Sequence, residues 1–379
     1  MDLLIKLSNK TTLKFIILCL ALNFSYFYAQ PSLKETFKDY YLIGTAMNDY
    51  QVFGNDSAAI ELIKKQFNAI TPENSMKWEK IHPEPGVYNF EPVDSLVAFG
   101  EMNNMFIVGH TLVWHSQTPG WVFEDEDGNM LSRDALLKRM KDHIFTVVGR
   151  YKGRIHGWDV VNEAVLEDGQ LRNSKWLQII GEDYMQKAFE WAHEADPDAE
   201  LYYNDFNMWY EGKRDSLVEL IKKLLSNGVK IDGIGLQGHW GLDYPPRDEL
   251  EKALKAYSKL DVKLMITELD MDILPNPSNY TGAEISTNFE LRKELNPWPD
   301  FLPDSMQTVQ SNRYVEYFSL FNRYKDSITR VTFWGVNDRY NWRNNWPVRG
   351  RSAYPMLFDK DYKPKPAFDA VIKTVKNEE

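Results

Sequence analysis

The sequence predicts a single-domain (β/α)8 TIM barrel, on three observations. Eight short runs rich in β-branched and aromatic residues alternate with amphipathic segments across residues 42–334, the pattern of parallel strands joined by crossover helices. The first run ends in Gly44-Thr45-Ala46-Met47. One glycine makes no phosphate-binding loop, which argues against a doubly wound open sheet. Polar residues also recur directly behind the runs, where a barrel of this type carries its chemistry.

Taken in order, strands are expected at Leu42 to Met47, Asn68 to Thr71, Met105 to Gly109, Ile155 to Val161, Glu200 to Tyr203, Gly233 to Leu236, Lys263 to Thr267 and Arg330 to Trp334. Helices are expected between them at Ser57 to Phe67, Asp94 to Asn103, Ser132 to Tyr151, Glu182 to Ala195, Lys213 to Ser226, Arg247 to Leu260 and Asn312 to Lys325. The third is the clearest. Leu136, Leu137, Met140, Ile144, Val147, Val148 and Tyr151 share one face at three-to-four spacing, and Ser132 stands at the N-cap position. Leu274 to Gln310, with its Pro, Asn and Asp, reads as a long insertion after the seventh strand, and loops of that length are usually functional or mobile.

The 379 residues are 43% hydrophobic and 26% charged, a globular balance with no low-complexity linker or repeat. Lys+Arg 44 against Asp+Glu 55 leaves a net charge of −11. Nucleic acid and anionic membranes reward a basic footprint, so neither is the expected partner. At the N-terminus Lys6, Lys10 and Lys14 flank an apolar run from Phe15 to Leu22, followed by Tyr28-Ala29-Gln30. That is the layout of a secretory signal peptide, and the run is short of the ~20 residues a membrane span needs. The expected division is therefore a leader over residues 1–29 and one barrel over 30–379, in a secreted or periplasmic protein. Cys19, the single cysteine, falls in the leader, so disulfide or thiolate chemistry is not expected in the mature chain.

The polar residues behind the strands form a coherent set. Glu73, Asn74, Lys77 and Trp78 follow the second, and His110, Trp114, His115 and Gln117 the third. Asn162 and Glu163 follow the fourth, Asn204 and Asp205 the fifth, and Gln237, His239 and Trp240 the sixth. Glu268 and Asp270 follow the seventh, and Trp334, Asn337, Asp338 and Trp342 the eighth. Glu163 and Glu268 occupy opposed positions of the ring, each behind an apolar run. A carboxylate there costs several kcal/mol unless it is paired or used. Two facing carboxyls suit glycoside hydrolysis, in which one donates a proton and the other attacks or activates water. Indole rings suit the C–H faces of sugars, and Asn, Gln, Lys and His suit their hydroxyls.

The motifs Thr71-Pro-Glu-Asn-Ser-Met-Lys-Trp78, Gly109-His-Thr-Leu-Val-Trp-His115, Trp158-Asp-Val-Val-Asn-Glu-Ala164, Gly235-Leu-Gln-Gly-His239, Ile266-Thr-Glu-Leu-Asp270 and Thr332-Phe-Trp-Gly-Val336 occur in this order. Together with the closing segment Leu357 to Phe368, they resemble glycoside hydrolase family 10, the endo-1,4-β-xylanases, over residues 35–375. The resemblance implies a monomeric retaining enzyme acting on xylan or xylo-oligosaccharides with no cofactor and no metal. It implies Glu163 as acid/base and Glu268 as nucleophile, with carboxyls ~5 to 5.5 Å apart. Asn162 would bond the sugar 2-hydroxyl, His239 would hold Glu268 and be oriented by Asp270, and Gln237 would contact substrate. Glu73, Asn74, Lys77, His110 and Gln117 would bond the glycone, with Trp114, Trp334 and Trp342 as aromatic walls. Trp158 and Trp191 read as core. Phe206 stands where many relatives carry Tyr, and the insertion and the basic run Arg339, Arg343, Arg349 and Arg351 are candidates to shape the cleft rim. The competing readings are a β-glucanase or cellulase on the same barrel, and a metal-dependent barrel hydrolase using His110, His115, His239, Asp205 and Glu268.

Overall fold

In the computed structural model, residues 32–277, 280–281 and 283–376 are described; the expected leader and Cys19 lie outside them. The strands are β1 (Leu42–Met47), β2 (Ala69–Pro72), β3 (Phe106–Trp114), β4 (Gly157–Asn162), β5 (Glu200–Asp205), β6 (Gly233–Leu236), β7 (His239–Gly241), β8 (Lys263–Asp272) and β9 (Ile328–Phe333). All pair in parallel. β9 returns to β1 through Leu42↔Arg330 to Thr45↔Phe333, and β6 pairs with β8, so eight strands close the predicted barrel.

The ninth strand, β7, is a continuation of β6. The lower half of β8 pairs with β6 from Gly233↔Lys263 to Leu236↔Ile266, and its upper half pairs with β7 from His239↔Asp270 to Gly241↔Asp272. Between them Gly238 has φ +85°, and a Cβ there would meet Ile266 Cγ2 at 2.9 Å. Glycine lets the chain kink and resume without leaving the barrel wall.

Two strands run further than their apolar stretches suggest. β3 continues from Gly109 to Trp114 and β8 from Thr267 to Asp272. Hydrophobic alternation ends where side chains turn toward the site, but backbone pairing does not. His110↔Asp159 and, after a register shift, Val113↔Val161 carry the β3–β4 ladder onward.

The outer layer comprises α1 (Ser57–Gln66), α2 (Glu91–Met102), α3 (Arg133–Arg150), α4 (Tyr184–Ala195), α5 (Glu211–Ser226), α6 (Arg247–Tyr257), α7 (Asp304–Arg323) and α8 (Pro366–Lys376). α3 starts as predicted, with Ser132 Oγ accepting from Ala135 N, and buries Leu136, Met140, Ile144, Val147 and Val148. α7 begins at Asp304 rather than Asn312, so the insertion ends at residue 303. Its first turns were hidden because Val309 is exposed while the buried position is polar Gln310, which donates to Tyr354 O. α8 was not anticipated, although Ala367, Phe368, Val371 and Ile372 are buried at helical spacing. Trp158 is core as predicted, its ring filling the space a Cβ on Gly109 would need; Trp191 packs at the core's edge.

Beneath the site wall that follows β2, Trp78, His143, His82 and Tyr88 form a column of stacked rings. Trp78 and His143 lie 3.6 Å apart, and His82 and Tyr88 3.9 Å apart. The two imidazoles meet through Nδ1 atoms 3.1 Å apart. Burial, with the Arg139 charge, lowers His82 to about 4; burial, with the His82 charge, holds His143 well below its usual value. Unfolded imidazoles protonate near 6.5 and these do not, so their contribution is intact above that pH and drains away as pH falls toward about 4. Melting temperature should therefore fall across this window, and less steeply in His82→Gln. Identical slopes in the two proteins would contradict the account.

Candidate active site

The strand ends converge on one cavity of about 310 Å³. Its walls include Glu73, Asn74 and Lys77 beyond β2, His110 and Trp114 on β3 and Gln117 after it, and Asn162 and Glu163 at the end of β4. Gln237 after β6, His239 on β7, Glu268 on β8, and Trp334 and Trp342 after β9 complete the predicted lining. Asp270 is fully buried and stands behind His239 instead of facing the cavity. Ala283 and Ile285 also line it. They come from the insertion, whose lack of periodicity gave no sign of which residues would reach the site.

Backbone geometry at the end of β4 aims the first carboxyl. Glu163 has φ 58°, in the left-handed region that non-glycine residues rarely occupy. It is held there from both sides, its N–H donating to Asn204 O at 2.9 Å and its C=O accepting from Arg172 Nε at 2.9 Å. Its carboxylate accepts from Trp114 Nε1 at 2.8 Å on Oε2, and from Gln237 Nε2 at 2.9 Å and Asn162 Nδ2 at 3.2 Å on Oε1. Glu268 accepts from Asn204 Nδ2 at 2.7 Å on Oε1 and lies 3.1 Å from His239 Nε2 through Oε2.

The two carboxyls are thus joined by amides. Asn204 Nδ2, bonded to Glu268, also donates to Asn162 Oδ1 at 2.9 Å, and Thr267 Oγ1 fixes the amide by donating to Asn204 Oδ1 at 2.6 Å. The sequence places Asn204 behind the fifth strand and assigns it no role. Asn204 is the bridge of the site, recognisable in advance only by that position.

Electrostatics drive the two acids in opposite directions. Both glutamates are 4% exposed. Burial raises the Glu163 pKa and the Asp205 charge adds to it, against His115, Gln237 and Trp114. Burial acts on Glu268 too, but the His239 hydrogen bond and the charges of His110, His239 and Lys77 outweigh it and hold Glu268 below the ordinary value. Lys77 is itself pulled down by burial and supported by Glu268, Glu73 and Glu163. Its Nζ donates to Asn74 Oδ1 at 3.0 Å and stands 5.1 Å from the Trp114 ring centre and 5.9 Å from that of Trp334. Burial raises Glu73 despite Lys77 and the Asn74 hydrogen bond.

His239 is the hinge of this asymmetry. Burial lowers it, but Asp270, 3.1 Å from Nδ1, and Glu268 raise it further, to about 9. Asp270 is anchored in turn by Arg343 at 2.8 Å and by Trp342 Nε1 at 2.5 Å. Arg343 also pairs with Asp272, which Arg351 shares at 3.0 Å. The expectation that the basic run shapes the rim is corrected for these two, which are buried because the carboxylates of β8 need counter-charges behind the site. Arg339 and Arg349 are exposed.

The aromatic residues are walls. Trp334 meets His110 edge-on at 5.2 Å, and Trp342 stacks on Trp346 at 4.3 Å. Phe206 packs with Ala283 and Trp346 under Lys213 Nζ at 4.3 Å, and lines an adjoining depression of about 530 Å³ with Arg172, Tyr210, Tyr280 and Glu284. The histidines and acids proposed as metal ligands are engaged by partners within the protein. His110 engages Asp159 at 2.9 Å and Asp205 engages Lys213 at 2.7 Å. Among the described residues, no group of three or more His, Cys, Asp and Glu side chains is placed to hold a metal ion.

A parallel barrel with two oppositely driven carboxyls in one amide-bridged, indole-walled cavity is a glycoside hydrolase. More particularly, the chain belongs to glycosyl hydrolase family 10, whose sequence profile matches residues 32–374. It is 45% identical to endo-1,4-beta-xylanase A of Xylanibacter ruminicola over 344 residues, covering 91% of this chain and 93% of that one. It is 45% identical to the beta-1,4-xylanase of Dictyoglomus thermophilum over 345 residues, covering 90% and 91%. Its fold is similar to that of an endoxylanase of the same family retrieved from a sugarcane soil metagenome, with TM-score 0.88, 46% identity and coverage of 90% and 99%.

Neutralising the residue behind His239 should undo its charge. In Asp270→Asn the imidazole should titrate clearly below about 9, read by histidine side-chain NMR. An unchanged titration would show that Asp270 does not set it.

Proposed function

We propose that this chain is an endo-1,4-β-xylanase that cleaves internal β-1,4 bonds of xylan by a retaining double displacement, with Glu163 as acid/base and Glu268 as nucleophile. The observation that carries this reading is the opposite drive on two carboxyls lining one cavity. A group with a raised pKa keeps a proton to give, and one with a lowered pKa stays ionised to attack.

Glu163 donates its proton to the glycosidic oxygen as Glu268 forms a bond to the anomeric carbon and the leaving sugar departs. The Glu268 charge is consumed in the resulting glycosyl ester. Glu163, having given up its proton, is then the base that takes one from water as water displaces Glu268. Asn162 serves the 2-hydroxyl, where a hydrogen bond can strengthen in the oxocarbenium-like transition state. Glu73, Asn74, Lys77, His110 and Gln117 bond the glycone hydroxyls, and Gln237 orients Glu163 beside it. Trp114 and Trp334 give the sugar ring apolar faces. Trp342, fixed by its bond to Asp270, is the wall assigned to screen against a hydroxymethyl group and so to favour xylose over glucose. His239 and Asp270 keep Glu268 placed and charged.

Xylan is neutral, so a net charge of −11 does not oppose its approach. No helix among the described residues is long and apolar enough to cross a membrane. We take the protein to be a monomer, secreted or periplasmic after removal of residues 1–29, leaving 30–379 as the catalytic barrel.

Glu268→Ala should abolish turnover of aryl xylobiosides, and added azide should restore it with an azide product of inverted configuration. Loss without rescue would remove Glu268 from the nucleophile role. Glu163→Ala should lose on the order of 10²- to 10⁴-fold on xylan and far less in glycosylation by a dinitrophenyl xylobioside, whose leaving group needs no proton. Equal losses would argue against acid catalysis.

A further inference from the structure

One charged group of the insertion reaches the machinery without lining the cavity. Glu284 Oε2 accepts from Arg172 Nη1 at 3.0 Å and lies 3.4 Å from His115 Nε2. Each of these partners touches Glu163. Arg172 Nε donates to the Glu163 carbonyl, and His115 Nδ1 stands 3.8 Å from Glu163 Oε2, the oxygen that also accepts from Trp114. Glu284 is itself fixed. Its N–H donates to Tyr280 Oη at 3.2 Å, its C=O accepts from Trp346 Nε1 at 3.3 Å, and Oε1 accepts from Ser286 Oγ at 3.2 Å.

We propose that Glu284 is a positioning residue for proton transfer. By holding Arg172 and His115 it keeps Glu163 in its left-handed backbone conformation, with its carboxyl aimed at the scissile oxygen. The inference rests on Glu163 being the acid/base. Two features beyond the contacts point the same way. A left-handed non-glycine residue persists only where its surroundings over-determine it, and Arg172 is one of the two groups doing so, bonding the Glu163 carbonyl and, through its own N–H, Ala164 O at 2.8 Å. Glu284 is also held anionic, its pKa brought to about 2 by the His115 hydrogen bond and by the charges of His115 and Arg172. It therefore offers Arg172 a fixed negative partner at any pH where the enzyme could work.

The test is the leaving-group dependence of kcat/KM over aryl xylobiosides of falling leaving-group acidity, for wild type, Glu284→Ala, Glu284→Gln and Glu163→Ala. If Glu284 positions the acid, Glu284→Ala should stay within about twofold of wild type on the dinitrophenyl substrate and fall about tenfold or more on the poorest leaving group. Glu284→Gln keeps an acceptor for Arg172 and should lie between. The slope is a ratio, so an inactive fraction of a poorly folded variant does not alter it. Parallel lines for Glu284→Ala and wild type would overturn the inference. So would a rise in KM for xylo-oligosaccharides with unchanged slope, which would make Glu284 a leaving-group-side contact. Glu163→Ala separates the levels. If it steepens the slope and Glu284→Ala does not, only this inference fails; if it does not, the acid/base reading fails first.

Discussion

Two carboxyl groups buried in one cavity, one to hold its proton and the other its charge, need hydrogen-bond partners for their oxygens. Water would ordinarily supply them, but both residues are only 4% exposed. The amide of Asn204 does so instead, donating to Glu268 and to Asn162, whose own amide donates to Glu163. Neutral amides bond both carboxyls, and the charge each keeps is decided by the other groups around it. His239, His110 and Lys77 favour the ionised form of Glu268, and burial beside Asp205 favours the protonated form of Glu163. One hydrogen-bonded unit thereby supports two different acids.

The barrel supplies what this unit requires. Asn162, Asn204 and Glu268 stand on β4, β5 and β8, and no two of these are neighbours across a short loop, so only the closed sheet brings them together. Behind Glu268 the counter-charges descend in order, from His239 to Asp270 to Arg343 and Asp272. A buried acid with no such partner would sooner take up a proton than stay charged. Removing one member of a buried ion pair is costly because the survivor is left uncompensated. Arg343 therefore belongs to the function of Glu268 although no substrate would touch it.

The fold was legible where side chains repeat and obscure where they stop repeating. The eight apolar runs marked every strand of the barrel, and Ser132 with the stripe from Leu136 to Val148 marked α3. β3 and β8 outran their apolar stretches because His110, Glu268 and Asp270 sit on strands whose pairing continues into the site. β7 is three residues long, too short for any period to register. The onset of α7 was hidden by the inversion of buried Gln310 and exposed Val309, a tertiary bond overriding local pattern. The site was legible because polar residues behind apolar runs have few structural reasons to be there. Arg343 and Arg351 were misplaced on the rim, since charge in a sequence carries no sign of burial. Glu284 lay in a stretch without periodicity, and nothing local tied it to Arg172 or His115, 112 and 169 residues away.

The central claim is that the free enzyme holds Glu163 protonated at a pH where Glu268 is already ionised. It is tested most directly by carbon-13 NMR titration of side-chain-labelled glutamate, with the two resonances assigned from Glu163→Gln and Glu268→Gln. Glu163 should titrate above the ordinary glutamate value and Glu268 below it. The opposite order, or two groups titrating together at the ordinary value, would contradict the account.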